Sequence, residues 1–256
     1  MSQPLPAGRP TPRSILADNA GPFTLDGTRT YLIGDRTVAV LDPGPASPPH
    51  IQRLQGALET AESVVILVTH AHGDHAAGAA ELADRVGASL RGFCQGCRPM
   101  DRNEVVRTDQ GNLLPLWTPG HTREHLAFHW PQGAALFPGD LILGEGDTTW
   151  VAEYPGCVAD YLESLDLLEA LGAQVLYPAH GPPVQDPAGT IARYRRHRLG
   201  RIRQVREALE LEPFPDMQEL LDRVYGRDLP DPMVPAATRS LQAILDHLGV
   251  ALPGSI

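Results

Sequence analysis

Short apolar runs alternate along the chain with segments of helical spacing. Thr30-Tyr-Leu-Ile33 and Val38-Ala-Val-Leu41 are β-branched and aromatic runs set off by Asp-Gly and Gly-Asp pairs, and they predict strands and hairpin turns between Ser14 and Asp42. A helix is expected over Ile51 to Glu62. Val64-Val-Ile-Leu-Val68 is apolar throughout, as in a strand covered on both faces, and Ala76 to Val86 is alanine-rich and helical. Further strands are predicted at Leu113–Trp117, His125–Trp130, Ala134–Phe137 and Val175–Tyr177, with an amphipathic helix at Val158–Leu171 between the last two. Strands alternate with helices, so the class is α/β.

After the Pro182-Pro183 and Asp186-Pro187 breaks only helical periodicity remains. Ile191, Leu199, Ile202, Val205, Ala208 and Leu209 fall on one long helix, followed by helices at Met217–Tyr225 and Ala237–Leu248. The expected division is a main domain over 1–186 and a small helical one over 187–256. The proline-rich first dozen residues are expected to be frayed.

At 256 residues, 42% apolar and 20% charged, the chain has enough hydrophobic surface for a sizeable core and is no disordered or fibrous sequence. Its longest apolar run, Val64 to Val68, is far below the roughly 18 residues of a membrane span. The first twenty residues lack the pattern of a signal peptide, so a cytoplasmic protein with no membrane partner is expected. A net charge of −10 disfavours general coating of nucleic acid, and any RNA contact must be local. Cys94 and Cys97 form a C-Q-G-C without a second pair, which is weak for zinc, and they are expected to be reduced and incidental.

The chemistry concentrates in Thr69-His-Ala-His-Gly-Asp-His75, where four potential metal ligands lie within six residues. Residues two apart in an extended segment point the same way, so His70 and His72 can converge on one ion, while Gly73 permits a turn presenting Asp74 and His75 to a second. Thr118-Pro-Gly-His121, Phe137-Pro-Gly-Asp140 and Tyr177-Pro-Ala-His180 repeat one pattern: an apolar strand, a proline turn, then a ligand. All three belong at a loop edge of a sheet, where sites are commonly built. An ion held by three protein groups keeps a position open for catalysis.

These residues carry a family resemblance. With the signature H-x-H-x-D-H present as His70-Ala-His-Gly-Asp-His75, the sequence resembles the metallo-β-lactamase-fold hydrolases. It is most similar to the beta-lactamase-like protein two group, through Asn19-Ala-Gly-Pro-Phe-Thr-Leu-Asp-Gly-Thr28, Gly139-Asp-Leu-Ile-Leu-Gly-Glu-Gly146 and Tyr177-Pro-Ala-His-Gly-Pro182. The resemblance implies an αββα four-layer sandwich with a small C-terminal helical, winged-helix-like domain. It implies a first metal on His70, His72 and His121, a second on Asp74, His75 and His180, and Asp140 bridging them. Asp42 would then support a ligand histidine, with capping of its turn an equal alternative. Two divalent ions, zinc first and manganese or iron also compatible, would share a bridging hydroxide as nucleophile, with Asp74 and Asp140 as the catalytic carboxylates. Arg29 stands where the group usually has asparagine.

For the bond that is cut, the leading expectation is single-stranded RNA. Ala192 to Arg206 carries seven arginines, and Arg195, Arg196 and Arg198 are candidate phosphate contacts, with His125 a further candidate for substrate. An acyl thioesterase acting on coenzyme A, carrier-protein or glutathione thioesters, or a lactonase, is the alternative. A mononuclear-iron sulfur dioxygenase using His70, His121 and Asp140 is a third reading, opposed by the complete second ligand set. The helical appendage leaves a homodimer open.

Overall fold

The computed structural model describes residues 8–210 and 216–251; the expectation of fraying at the start falls mostly outside them. One five-stranded sheet contains β1 (Arg13–Leu16), β2 (Arg29–Ile33), β3 (Thr37–Leu41), β4 (Ser63–Val68) and β5 (Ser89–Gly92), in that order. Its β1, β2 and β3 are antiparallel, whereas β3, β4 and β5 run parallel. The crossovers carry α1 (Pro48–Ala57), then α2 (Gly73–Ala76) and α3 (Ala79–Val86). The other sheet comprises β6 (Val106–Thr108), β7 (Gly111–Trp117), β8 (Leu126–Trp130), β9 (Ala135–Phe137) and β10 (Val175–Leu176), ordered β10-β9-β8-β7-β6. Between β9 and β10 lies α4 (Cys157–Ala170), and α5 (Pro187–Leu209), α6 (Met217–Tyr225) and α7 (Val234–Leu248) complete the chain.

Period-two alternation builds the layers. Tyr31, Ile33, Leu41 and Leu67 meet Phe128, Trp130 and Phe137 between the sheets. Their neighbours Leu32, Val38, Val40, Ile66 and Val68 point the opposite way, onto Ile51, Leu54 and Leu82 of α1 and α3. On the far side of the second sheet, Ala127, Leu136 and Leu176 pack with Val158, Tyr161 and Leu165 of α4. The result is the αββα metallo-β-lactamase sandwich.

Two strands escaped the sequence pattern: β5 and β6 are only four and three residues long and partly exposed, so neither carries an apolar run. Cys94 and Cys97, expected to be reduced, are instead paired as a disulfide across the turn after β5, with Cα atoms 5.1 Å apart, inside the range a bridge needs. After β10 the described residues hold three α-helices and no strand that would make a wing. Ile191, Tyr194, Ile202 and Val205 of α5 join the apolar cluster of α4, so the core is continuous across residue 187. Among the described residues no helix is long and apolar enough to cross a membrane.

Candidate metal centre

The ends of parallel strands put the site together. Asp42 and Thr69 follow directly on β3 and β4, neighbours in the first sheet. Asp42, at φ 49°, accepts the Thr69 N–H at Oδ1 (2.8 Å), and at Oδ2 the Thr69 hydroxyl (2.8 Å) and the His75 Nδ1–H (2.9 Å). His121, Asp140 and His180 come at the same edge of the second sheet, after β7, β9 and β10. Two of their turns require glycine. Gly120 has φ +139° and a Cβ there would lie 2.6 Å from the Tyr161 Cα; Gly139 has φ +54° and its Cβ would lie 2.7 Å from His125 Nε2.

Each of the five candidate ligand histidines gives its outer N–H away. His72 Nε2 donates to Glu153 Oε1 (2.6 Å), His121 Nδ1 to the Trp150 carbonyl (2.8 Å), and His180 Nδ1 to the Gly27 carbonyl (3.2 Å). The Thr69 hydroxyl proton is committed to Asp42, so Thr69 Oγ1 accepts from His70 Nδ1 at 3.0 Å. The inner nitrogens converge: His72 Nδ1 is 3.0 Å from His70 Nε2 and 3.1 Å from His121 Nε2. His180 Nε2 is 3.2 Å from His75 Nε2 and 3.2 Å from Asp74 Oδ2. Between the two groups Asp140 sets Oδ1 3.3 Å from His75 Nε2, and Oδ2 3.7 Å from His121 Nε2.

Lone pairs face one another at these spacings only if positive charge lies between them. Donors about 2.1 Å from a tetrahedral ion lie about 3.4 Å apart, close to the spacings found. Asp140 Oδ1 is buried without a hydrogen-bond partner among the described residues, the kind of orphaned acceptor a cation satisfies. At His75 burial lowers the pKa, but the Asp140 and Asp42 carboxylates outweigh it and hold the value well above the ordinary one. Burial raises the Asp140 carboxyl, but positive charge on the His75 side of the group overrides it and holds the value well below the ordinary one, the place a cation would take. The residues therefore fit a pair of cations, with His70, His72 and His121 around one, Asp74, His75 and His180 around the other, and Asp140 between.

The remaining candidates are placed differently. His125, expected near substrate, is fully buried beneath the site. It donates from Nδ1 to Thr118 Oγ1 (3.0 Å) and accepts the Asp140 N–H at Nε2 (3.3 Å), so it holds the Asp140 backbone and has no free nitrogen for substrate. Arg195 is turned onto α4, paired with Asp166 and Glu169, and Arg196 is exposed outside the cleft. Arg198 alone of the three lines it. His197 also lines the cleft. No sequence signal points to Glu153, which has no fixed spacing from His72, or to the carbonyls of Trp150 and Gly27. The Asn19–Thr28 segment explains itself: Asn19 Oδ1 accepts the Thr28 N–H at 2.8 Å, fixing the turn whose Gly27 carbonyl orients His180. At Arg29 the guanidinium grips Asp26 through two bonds of 2.9 and 2.7 Å, and Asp26 accepts the N–H of Gly181.

From the metal-facing groups His72, Asp74, His121 and Asp140 a cleft of about 840 Å³ runs to α7, walled by Leu143, Trp150, Leu229 and Met233. The sequence profile of the Metallo-beta-lactamase superfamily matches residues 23–93 and 99–180, a span that contains every one of these ligands. The chain belongs to this superfamily. As a member it is a metal-dependent hydrolase. It is similar to a Caenorhabditis elegans beta-lactamase-like protein 2 homolog, 32% identical over 91% of this chain and 82% of that protein. An Aspergillus chevalieri relative named atrochrysone carboxyl ACP thioesterase is 36% identical over 80% of this chain and 69% of its own length. A crystal structure of a metallo-beta-lactamase family protein from Thermus thermophilus superposes with a TM-score of 0.75 at 20% identity, covering 93% and 92% of the two chains. Some fungal superfamily relatives named lactamase-like protein are longer, and the chain spans 56–62% of their length.

Proposed function

We propose that this hydrolase cleaves acyl thioesters at a centre of two divalent cations held by His70, His72, His121, Asp74, His75, His180 and Asp140. The observation that carries the reading is the cleft: the metal-facing groups open directly onto a largely apolar wall of Leu143, Trp150, Val151, Leu229 and Met233, suited to an acyl chain. A relative named as a carrier-protein thioesterase supports the same bond. The arginine helix offers RNA no continuous track, because Arg195 is engaged with acidic side chains and Arg196 points elsewhere.

When bound, the cations lower the pKa of water and polarise the substrate carbonyl. Zinc, manganese and iron all suit imidazole and carboxylate donors. Asp74 and Asp140 both line the cleft and are ionised, so either carboxylate can orient the attacking water and accept its proton. His125 keeps Asp140 in register through the backbone N–H. A thiolate leaves as a weak base, so the chain has no need of a strong acid to protonate it. Glu153 and Asp42 fix two of the imidazole rings that would otherwise rotate out of position.

The test is hydrolysis of an acyl-coenzyme A and acyl-pantetheine panel, with metal counted and with chelator added, beside a labelled single-stranded oligoribonucleotide. Chelator-sensitive thioester turnover is expected. Cleavage of the oligoribonucleotide alone would replace this reading with the phosphodiester one.

A further inference from the structure

Arg198 is an anomaly among the charged residues. It lies on α5 with 4% of its surface exposed, yet no carboxylate among the described residues pairs with it. Its guanidinium donates once, from Nη2 to the Thr149 carbonyl (3.1 Å), and lies 5.5 Å over the Tyr161 ring. Its Nε has no partner among the same residues. Burial without compensation strongly disfavours a charge, so a guanidinium kept in this state implies a partner that arrives later. The same side chain lines the cleft together with His197, Arg201 and Arg239 of α7. Arg201 spends one nitrogen on the Val224 carbonyl and Gln204, and its guanidinium lies over Tyr225. The cleft thus carries both signs of charge, with Asp74, Asp140 and Glu153 on its lining together with Arg198, Arg201 and Arg239. Thr149 ties Arg198 to the metal-facing groups: its carbonyl accepts from Arg198 and its hydroxyl donates to the Asp140 carbonyl at 2.7 Å.

We propose that Arg198, with Arg201, forms an oxyanion subsite that receives a carboxylate or phosphate of the substrate while its thioester carbonyl lies at the metal-facing carboxylates. This rests on the thioesterase reading. The two sources of such an anion are the acyl chain and the thiol arm, and they are separable by substrate.

The experiment measures kcat/KM for two matched pairs: glutaryl against pentanoyl N-acetylcysteamine thioester, and acetyl-phosphopantetheine against acetyl-pantetheine. The anionic member of one pair is expected to be favoured by about tenfold or more, the worth of a charge-assisted hydrogen bond. The pair that responds identifies the source. Arg198→Gln should bring that ratio close to one and act mainly on KM, and Arg201→Gln should lower it, whereas Arg196→Gln on the same helix should leave it intact. Thioester cleavage with no preference in either pair would overturn the subsite and spare the thioesterase. If no thioester is cleaved, calorimetric binding of glutarate and phosphopantetheine to the metal-loaded protein decides: binding lost in Arg198→Gln upholds the subsite, and no binding removes it.

Discussion

At the scale of single residues, the site depends on acceptors that decide where protons lie. Asp42 takes three donors at 2.8–2.9 Å, from Thr69 twice and from His75, and so fixes one ring directly and His70 through the Thr69 hydroxyl. An amide cannot accept all three, since its NH₂ would confront a donor. Asp42→Asn is therefore expected to weaken metal binding by about 10–100-fold, read by competition with a chromophoric chelator; an unchanged affinity would show that the rings are held by packing alone. Asp140→Ala removes the carboxylate between the two ligand groups, and is expected to lose about a thousandfold or more in kcat with unchanged circular dichroism, the rate equivalent of several kcal/mol. Turnover near wild type would refute its role. His50 bears on stability instead. Buried beside the Pro43 carbonyl, it is held below its ordinary pKa of 6.5 chiefly by burial, so below pH 6.5 the unfolded chain binds a proton that the folded chain refuses. Its contribution is present above that pH and is lost as pH falls. Urea titrations at pH 7.5 and 5 should show wild type losing more stability on acidification than His50→Gln, and equal losses would contradict the assignment.

At the scale of elements, the recurring unit is a strand, a tight turn and a ligand. Gly139 shows how tightly it is built: φ is +54° and a methyl group would press on His125 Nε2, which itself carries the Asp140 N–H. Gly139→Ala is expected to cost about 1–3 kcal/mol by thermal unfolding and to lower kcat as Asp140 shifts; a variant with both unchanged would mean that the turn relaxes freely. This unit is also why so much was legible in sequence. His121, Asp140 and His180 each follow an apolar run and a proline, and His70 to His75 are crowded into one loop, so local pattern sufficed to bring the ligands to one sheet edge. Partners chosen by the fold leave no such trace: Glu153 meets His72 from 81 residues away. Arginine density misled for a geometric reason. At roughly 100° per residue Arg196 is turned about 160° from Arg198, and Arg195, only about 60° from Arg198, is drawn aside by Asp166 and Glu169, so the structure sends Arg195 to α4, Arg196 to the surface and Arg198 to the cleft. His125 misled because a strand histidine next to a ligand motif looks the same in sequence whether it faces the cleft or the floor beneath it.

At the scale of the whole molecule, the question is whether the C-terminal helices are an appendage or part of the fold. Ile191, Tyr194, Ile202 and Val205 are buried in one cluster with Ile142, Val158, Tyr161 and Leu165, and Tyr194 receives the Leu143 N–H at 3.0 Å in the loop that follows Asp140. The same C-terminal region lines the cleft through Leu229 and Met233, just before α7, and Ala237 on it. Ending the chain at residue 186 would expose the side of α4 that packs on α5 and α7, and each large buried side chain so uncovered costs about 1.5–3 kcal/mol, so a few suffice to cancel the stability of a typical domain. A chain of residues 1–186 is therefore expected to aggregate or lose its near-ultraviolet circular dichroism, not merely its activity. A monomeric 1–186 fragment that unfolds cooperatively and still binds two equivalents of metal would show instead that residues 187–256 are a separable domain resting on a finished core.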